Sequence, residues 1–176
     1  WVYSGAHDMY FVGDFDENGL YQPIQSVGQL SYNSQSYAAQ TYYYEPGKPV
    51  IRFAWNRSDI PGAPFNGSMC TPTEMTLKKH GDRYYLSALP IKSTENLVVK
   101  SDKLDDFTLT HCTHELGSKT CRISFTVKEG DLTCNLYGLE MKLDKNGLTC
   151  GESMLPRLKN EPMKVDIITD TNSVEI

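Results

Sequence analysis

Two carboxylates close together, a short segment of histidines and cysteines, and a group of flat aromatic rings are the features of this 176-residue chain whose residue types carry chemistry. Glycosidic bonds are commonly cleaved between paired carboxyl groups, about 5–5.5 Å apart for retention and about 6.5–9.5 Å for inversion. Asp14 and Asp16 are two apart on an expected strand, which puts them on one face at about 6.5–7 Å. Geometry admits them. Their setting, Asp14-Phe15-Asp16-Glu17-Asn18-Gly19, is nevertheless a strand running into a turn, where Asp accepts hydrogen bonds from nearby amides. The pair is therefore read as structural.

His111-Cys112-Thr113-His114, with Cys121 downstream, holds the ligand types zinc prefers. Neighbouring strand residues point to opposite faces, so His111 and Cys112 do not converge easily on one ion, and the paired spacing of a zinc motif is missing. A thiol nucleophile with a histidine base, from the same residues, lacks a recognisable orienting acid or oxyanion device. No catalytic group, metal site or cofactor site follows from these patterns. Asn56-Arg57-Ser58 and Asn66-Gly67-Ser68 fit the glycosylation sequon, which matters only in a secreted eukaryotic protein. Trp1, Tyr37, Tyr42, Tyr43, Tyr44 and Trp55 crowd the first third of the chain. Aromatic platforms with a few polar neighbours suit sugar rings, although a single such residue more often fills a core.

The elements that must position these groups are strands. Apolar and polar residues alternate over short runs bounded by Gly, Asp, Asn and Pro, while helical periodicity is nearly absent. Expected strands cover Met9 to Phe15, Tyr37 to Tyr44 and Pro49 to Trp55, with Glu45-Pro46-Gly47-Lys48 as the turn between the last two. A hairpin follows, Glu74 to Lys78 against Arg83 to Ser87. Pro90 to Asn96 is a connector, and a domain boundary is placed near residues 91–97. Beyond it, strands are expected at Phe107 to Cys112, Cys121 to Val127, Leu132 to Leu136, Glu140 to Leu143 and Val165 to Asp170. Asn146-Gly147 predicts a type I′ hairpin turn, whose twist matches that of paired strands. The spacing of these later strands suggests a small antiparallel sandwich.

Composition sets the outer limits. Hydrophobic residues make up 39% of the chain, enough for a core, and 11 Tyr, 6 Phe, 13 Gly and 9 Pro favour strands and turns. A net charge of −5 with no basic block argues against a nucleic-acid partner. No apolar run reaches the ~20 residues of a membrane-spanning helix, so no membrane partner is expected. Five cysteines without regular spacing leave the compartment undecided.

Several segments together resemble glycoside hydrolase family 32, the invertases, levanases and fructan hydrolases. Met9-Tyr10-Phe11-Val12-Gly13-Asp14-Phe15-Asp16 looks like that family's Tyr-x-Ile-Gly-Asp-Phe-Asp strand. Tyr37-Ala38-Ala39-Gln40-Thr41-Tyr42 is similar to its Tyr-Ala-Ala-Gln-Thr-Phe strand, and Val50 to Trp55 stands where the family has an apolar strand ending in Gly-Trp. Thr71 to Leu77 resembles the Pro-Arg-Glu-Leu region, and Val165 to Ile176 the Asp-x-x-Ser-Val-Glu-Val-Phe strand.

The resemblance implies an all-β chain comprising the terminal part of a five-bladed β-propeller followed by a β-sandwich. Residues 1–94 would be the last part of the catalytic propeller. Residues 95–176 would be the sandwich, incomplete at its end, because Val174-Glu175-Ile176 would continue into further strands. The family's three carboxylate motifs, Asn-Asp-Pro-Asn-Gly, Arg-Asp-Pro and Glu-Cys-Pro, do not occur in this sequence. They belong to earlier blades, so the chain alone is expected to be inactive. Tyr37 and Trp55 match positions near the fructose pocket, which makes them the candidate substrate-binding residues. Ala54 replaces the usual Gly, Thr73 the usual Arg, and Gln35 stands where an Asp often precedes the Tyr-Ala-Ala-Gln strand. The implied partner of the complete enzyme is sucrose or a fructan, with no cofactor. A non-catalytic carbohydrate-binding β-domain is the alternative.

Overall fold

The computed structural model describes residues 1–42, 47–106, 108, 111, 113–158 and 161–176. In chain order its strands are β1 (Val2–Ser4), β2 (Met9–Phe11), β3 (Gly13–Phe15), β4 (Tyr21–Pro23), β5 (Gly28–Gln29), β6 (Ser36–Thr41), β7 (Val50–Asn56), β8 (Ser68–Met69), β9 (Thr73–His80) and β10 (Arg83–Pro90). A 3₁₀ helix over Lys92–Leu97 occupies the expected connector. Beyond it lie β11 (Cys121–Val127), β12 (Leu132–Leu136), β13 (Leu139–Leu143), β14 (Gly147–Cys150), β15 (Ser153–Pro156), β16 (Met163–Thr169) and β17 (Val174–Glu175). The chain is all-β. Among the described residues all the strand pairs are antiparallel.

The described strands form separate sheets and no closed propeller. In the first half β1, β2 and β5 make one sheet, β3 and β4 a ribbon, and β10-β9-β7-β6 a sheet to which β8 adds beside β7. Tyr10, Val12, Met75 and Leu86 bury their side chains between these layers. In the second half β12-β13-β14-β15 and β11-β16-β17 form two sheets. Met141, Leu143 and Leu148 of the first share an apolar cluster with Val165 and Ile167 of the second. Alternation explains this cluster: on β16 the buried positions are Val165, Ile167 and Thr169, while Lys164 between Met163 and Val165 points outward.

Several sequence expectations change. The run from Met9 to Phe15 is not one strand, because Val12 turns into the core at 5% exposure and β2 and β3 pair in different sheets. The Asn146-Gly147 step does not form a type I′ turn: Asp144 accepts hydrogen bonds from the amides of Asn146 (2.7 Å) and Gly147 (3.2 Å), making a four-residue loop between Leu143 and Leu148. The hairpin with positive φ at both central residues is instead Tyr137 (+53°) and Gly138 (+91°), between β12 and β13. Of the strand expected over Phe107 to Cys112, residues 107, 109, 110 and 112 lie outside the described residues, as do Tyr43, Tyr44, Glu45 and Pro46.

Side chains of the second half reach the first: the Glu161 carboxylate lies 3.1 Å from His80 Nδ1, and Glu175 meets Thr71. The Glu175 carboxylate on β17 accepts hydrogen bonds from the Thr71 amide (3.0 Å) and the Thr71 hydroxyl (2.9 Å).

Candidate functional site

A buried ion pair lies where the first two sheets meet. Asp8 ends the β1–β2 turn with φ +53°, a conformation its short polar side chain tolerates, and is 1% exposed. Arg52 comes from the middle of β7, otherwise an apolar strand, and is 6% exposed. Its Nε donates to Asp8 Oδ1 (2.8 Å) and its Nη2 to Asp8 Oδ2. The Tyr3 hydroxyl on β1 donates to Asp8 Oδ1 and accepts from Arg52 Nε (3.0 Å). The Ser36 hydroxyl on β6 donates to Asp8 Oδ2 (3.1 Å) and accepts from Arg52 Nη2 (2.7 Å).

A buried charge pair holds only when such additional bonds satisfy its remaining donors and acceptors. Burial, then the bond to Asp8, pushes the Tyr3 hydroxyl far above its usual range, so it stays a proton donor. Burial works against the Arg52 charge, but the Asp8 hydrogen bond and charge outweigh it and hold the guanidinium above its usual range. The sheets are in backbone contact here as well: the Ala39 amide donates to the Gly5 carbonyl (2.8 Å), and a Cβ on Gly5 would fall 1.7 Å from the Ala39 oxygen. Only glycine fits there.

Ser36 connects this network to a cavity of about 290 Å³. Ser36 and Tyr37 of β6 line it, with Asn33 and Ser34 from the preceding loop, His7 from the β1–β2 turn, Gln29 of β5, and Arg57 just after β7. Asn33 shapes the approach by accepting from the Gln35 and Ser36 amides, both at 2.8 Å. Arg57 donates to the Ser34 carbonyl (3.2 Å) and lays its guanidinium over the Tyr37 ring, 4.7 Å from its centroid. The His7 ring meets Tyr37 edge-on with centroids 6.0 Å apart. Directly after Tyr37 the register slips against β7, and Ala38 takes φ +49°. This bulge re-aims the start of β6, a frequent device beside binding sites.

Of the two residues singled out in the sequence, Tyr37 lines the cavity. Trp55 is its direct partner across β6 and β7, 40% exposed, and does not line the cavity. The other sequence candidates fall elsewhere. Asp16 accepts from the Asn18 and Leu20 amides, both at 2.9 Å; the Leu20 amide, then the Gln22 side chain, hold its carboxyl below the usual range. Among the described residues no group of three or more His, Cys, Asp or Glu is placed to hold a metal, and Cys112 lies outside them. The Cys121 thiol sits against the Thr169 hydroxyl at 3.1 Å. Burial, then the Glu175 charge, pushes the Cys70 thiol up, away from a nucleophilic thiolate.

Sequence reasoning missed the Tyr3-Asp8-Ser36-Arg52 network and Arg57. The one available signal was a charged residue inside the apolar run Val50-Ile51-Arg52-Phe53-Ala54. Its partner lies 44 residues away and nothing local announces it. Chemically, the cavity offers a ring edge, neutral hydrogen-bonding groups and one guanidinium. These groups are equipped to hold a polar ligand through hydrogen bonds.

An all-β chain with a bulged edge strand and a polar, aromatic-edged cavity is the class of protein that fold and site define. Residues 2–88 match the model of the glycosyl hydrolases family 32 N-terminal domain, and the chain is related to glycoside hydrolase family 32. Among solved structures it is similar to the exo-inulinase from Aspergillus awamori, with a TM-score of 0.61 and 16% identity over 93% of this chain. The chain spans 41% of the length of that structure, and at this identity the likeness is one of fold. No curated protein matches the sequence.

Proposed function

We propose that this chain is the C-terminal portion of a retaining β-fructosidase-type hydrolase that, in complete form, releases fructose from sucrose, levan or inulin through a covalent fructosyl intermediate. The match of residues 2–88 to the family's N-terminal domain carries this proposal, and the fold shared with an exo-inulinase supports it. Residues 1–94 are then the last part of the catalytic propeller and residues 95–176 a β-sandwich. In favour of that division, the two apolar clusters share no residue and lie on either side of the Lys92–Leu97 helix.

Tyr37 serves as a substrate-binding residue in the cavity it lines, and Trp55, its cross-strand partner outside the cavity, is the second candidate, for a part of the substrate beyond it. Tyr37 supplies an apolar edge, while Asn33, Ser34 and Gln29 supply neutral partners for sugar hydroxyls. The Asp8–Arg52 pair is a positioning device that fixes Ser36 and, through it, the start of β6. The carboxylates that break the bond come from the rest of the enzyme. Incubated with sucrose or levan, the 176-residue chain is expected to release no fructose. Turnover above that of a Tyr37→Ala, Trp55→Ala control overturns the assignment of catalysis to other parts of the enzyme.

A further inference from the structure

The two-residue turn between β12 and β13 places Tyr137 where the chain favours glycine or asparagine. Its φ of +53° is an outlier for a bulky residue, yet its ring is 57% exposed and fills no core. A residue strained without a packing gain is a pointer to a ligand contact. The ring is not loose: its hydroxyl donates to the Ser118 carbonyl at 3.3 Å. It borders a hollow of about 320 Å³, at the small end of the ~300–1,000 Å³ usual for small-molecule sites.

Leu136, Leu139 and Val174 give this hollow an apolar floor, and Lys119, Asp170 and Asn172 give it a polar rim. Asp170 is held in place through Oδ1, which accepts from the Thr120 hydroxyl (3.2 Å) and the Thr171 amide (2.6 Å). Lys119 and Asp170 cancel in charge, so the lining selects neither an anion nor a cation. An exposed ring beside a small apolar floor, ringed by hydrogen-bonding groups of no net charge, is complementary to a neutral, hydroxyl-rich ring.

We infer that the cup between the Tyr137-Gly138 turn and the 170–173 turn is a second, non-catalytic sugar-binding site, taking a residue of a neutral oligosaccharide against the Tyr137 ring. Its fructan preference rests on the function proposed above, whereas the site itself rests on the cup alone. Such a site would hold a long substrate by a segment that is not being cleaved.

The test is a titration of the 176-residue chain with nystose, a neutral fructo-oligosaccharide, followed by amide chemical shifts. Saturable shifts are expected at 119, 136–139 and 170–174. Tyr137→Gly removes the ring and relieves the positive φ, so the variant stays folded while affinity falls about tenfold. Tyr137→Phe keeps the ring and is expected to stay within about twofold of the parent. Shifts absent from the cup, or an affinity unchanged by Tyr137→Gly, overturn the site, and shifts around Tyr37 alone do so while leaving the proposed function standing. Equal binding of maltotetraose in the cup upholds the site and overturns its fructan preference. Line broadening at the cup that grows with protein concentration, without sugar, makes a second copy the occupant and overturns the site.

Discussion

The two halves of the molecule solve the problem of joining sheets in different ways. In the first, the sheets meet partly through four buried apolar side chains and partly through the Asp8–Arg52 pair with Tyr3 and Ser36. In the second they meet through an apolar cluster of Met141, Leu143, Leu148, Val165 and Ile167, and the described ion pairs lie nearer the surface. An apolar interface tolerates small sliding, because its contacts are non-directional. A buried ion pair has one satisfactory geometry and a large penalty for others. The directional interface is the one beside the cavity that Ser36 and Tyr37 line.

Substitutions at the two interfaces separate these strategies. Arg52→Leu leaves the Asp8 carboxylate buried without its cation, and urea denaturation is expected to show a loss of about 3–5 kcal/mol. Adding Asp8→Asn should restore much of it. A double variant as unstable as the single one breaks the comparison. In the second half Ile167→Ala removes a 1%-exposed side chain and opens a cavity. The expected loss is about 3 kcal/mol, with the Tyr37 surroundings unchanged in amide spectra. Perturbed shifts at Ser36 or Tyr37 in that variant would show the halves to be coupled through their cores.

A smaller effect comes from the surface of the second half. The Arg122 hydrogen bond is the main influence holding the Asp166 carboxyl below its usual range, with burial opposing and Ser124 assisting. A depressed folded-state pKa contributes stability that is present above the unfolded value and is lost as pH falls through the folded one. Acid titration of Asp166→Asn against the parent should therefore show a difference of up to about 1 kcal/mol near neutrality, since solvent reaches the pair. The difference vanishes below the folded pKa. A gap that persists in strong acid would assign the effect to packing.

What the sequence disclosed follows the same division. Cys121 to Val127 and Leu132 to Leu136 alternate cleanly and face one core, so their bounds were legible to the residue. The Met9-to-Phe15 run deceived because alternation continues through Val12 while the partner sheet changes, which is a tertiary event. Asn146-Gly147 carried the strongest local turn signal, but Asp144 captured the amides first. Tyr137-Gly138, with a weaker signal, took the type I′ form because Leu136 and Leu139 pair across it. The resemblance singled out Tyr37, which lines the cavity. Asp8 and Arg57 were not, since their roles arise only when distant segments meet.

The clasp between Thr71 and Glu175 has a meaning for the order in which the molecule assembles. It joins residues 104 positions apart, whereas the β9–β10, β12–β13 and β14–β15 hairpins each close over two residues. Local hairpins form on the microsecond scale, whereas a contact between distant residues must first meet the entropy of closing the long loop between them and forms more slowly. The clasp is therefore expected to form late in folding, after the local hairpins.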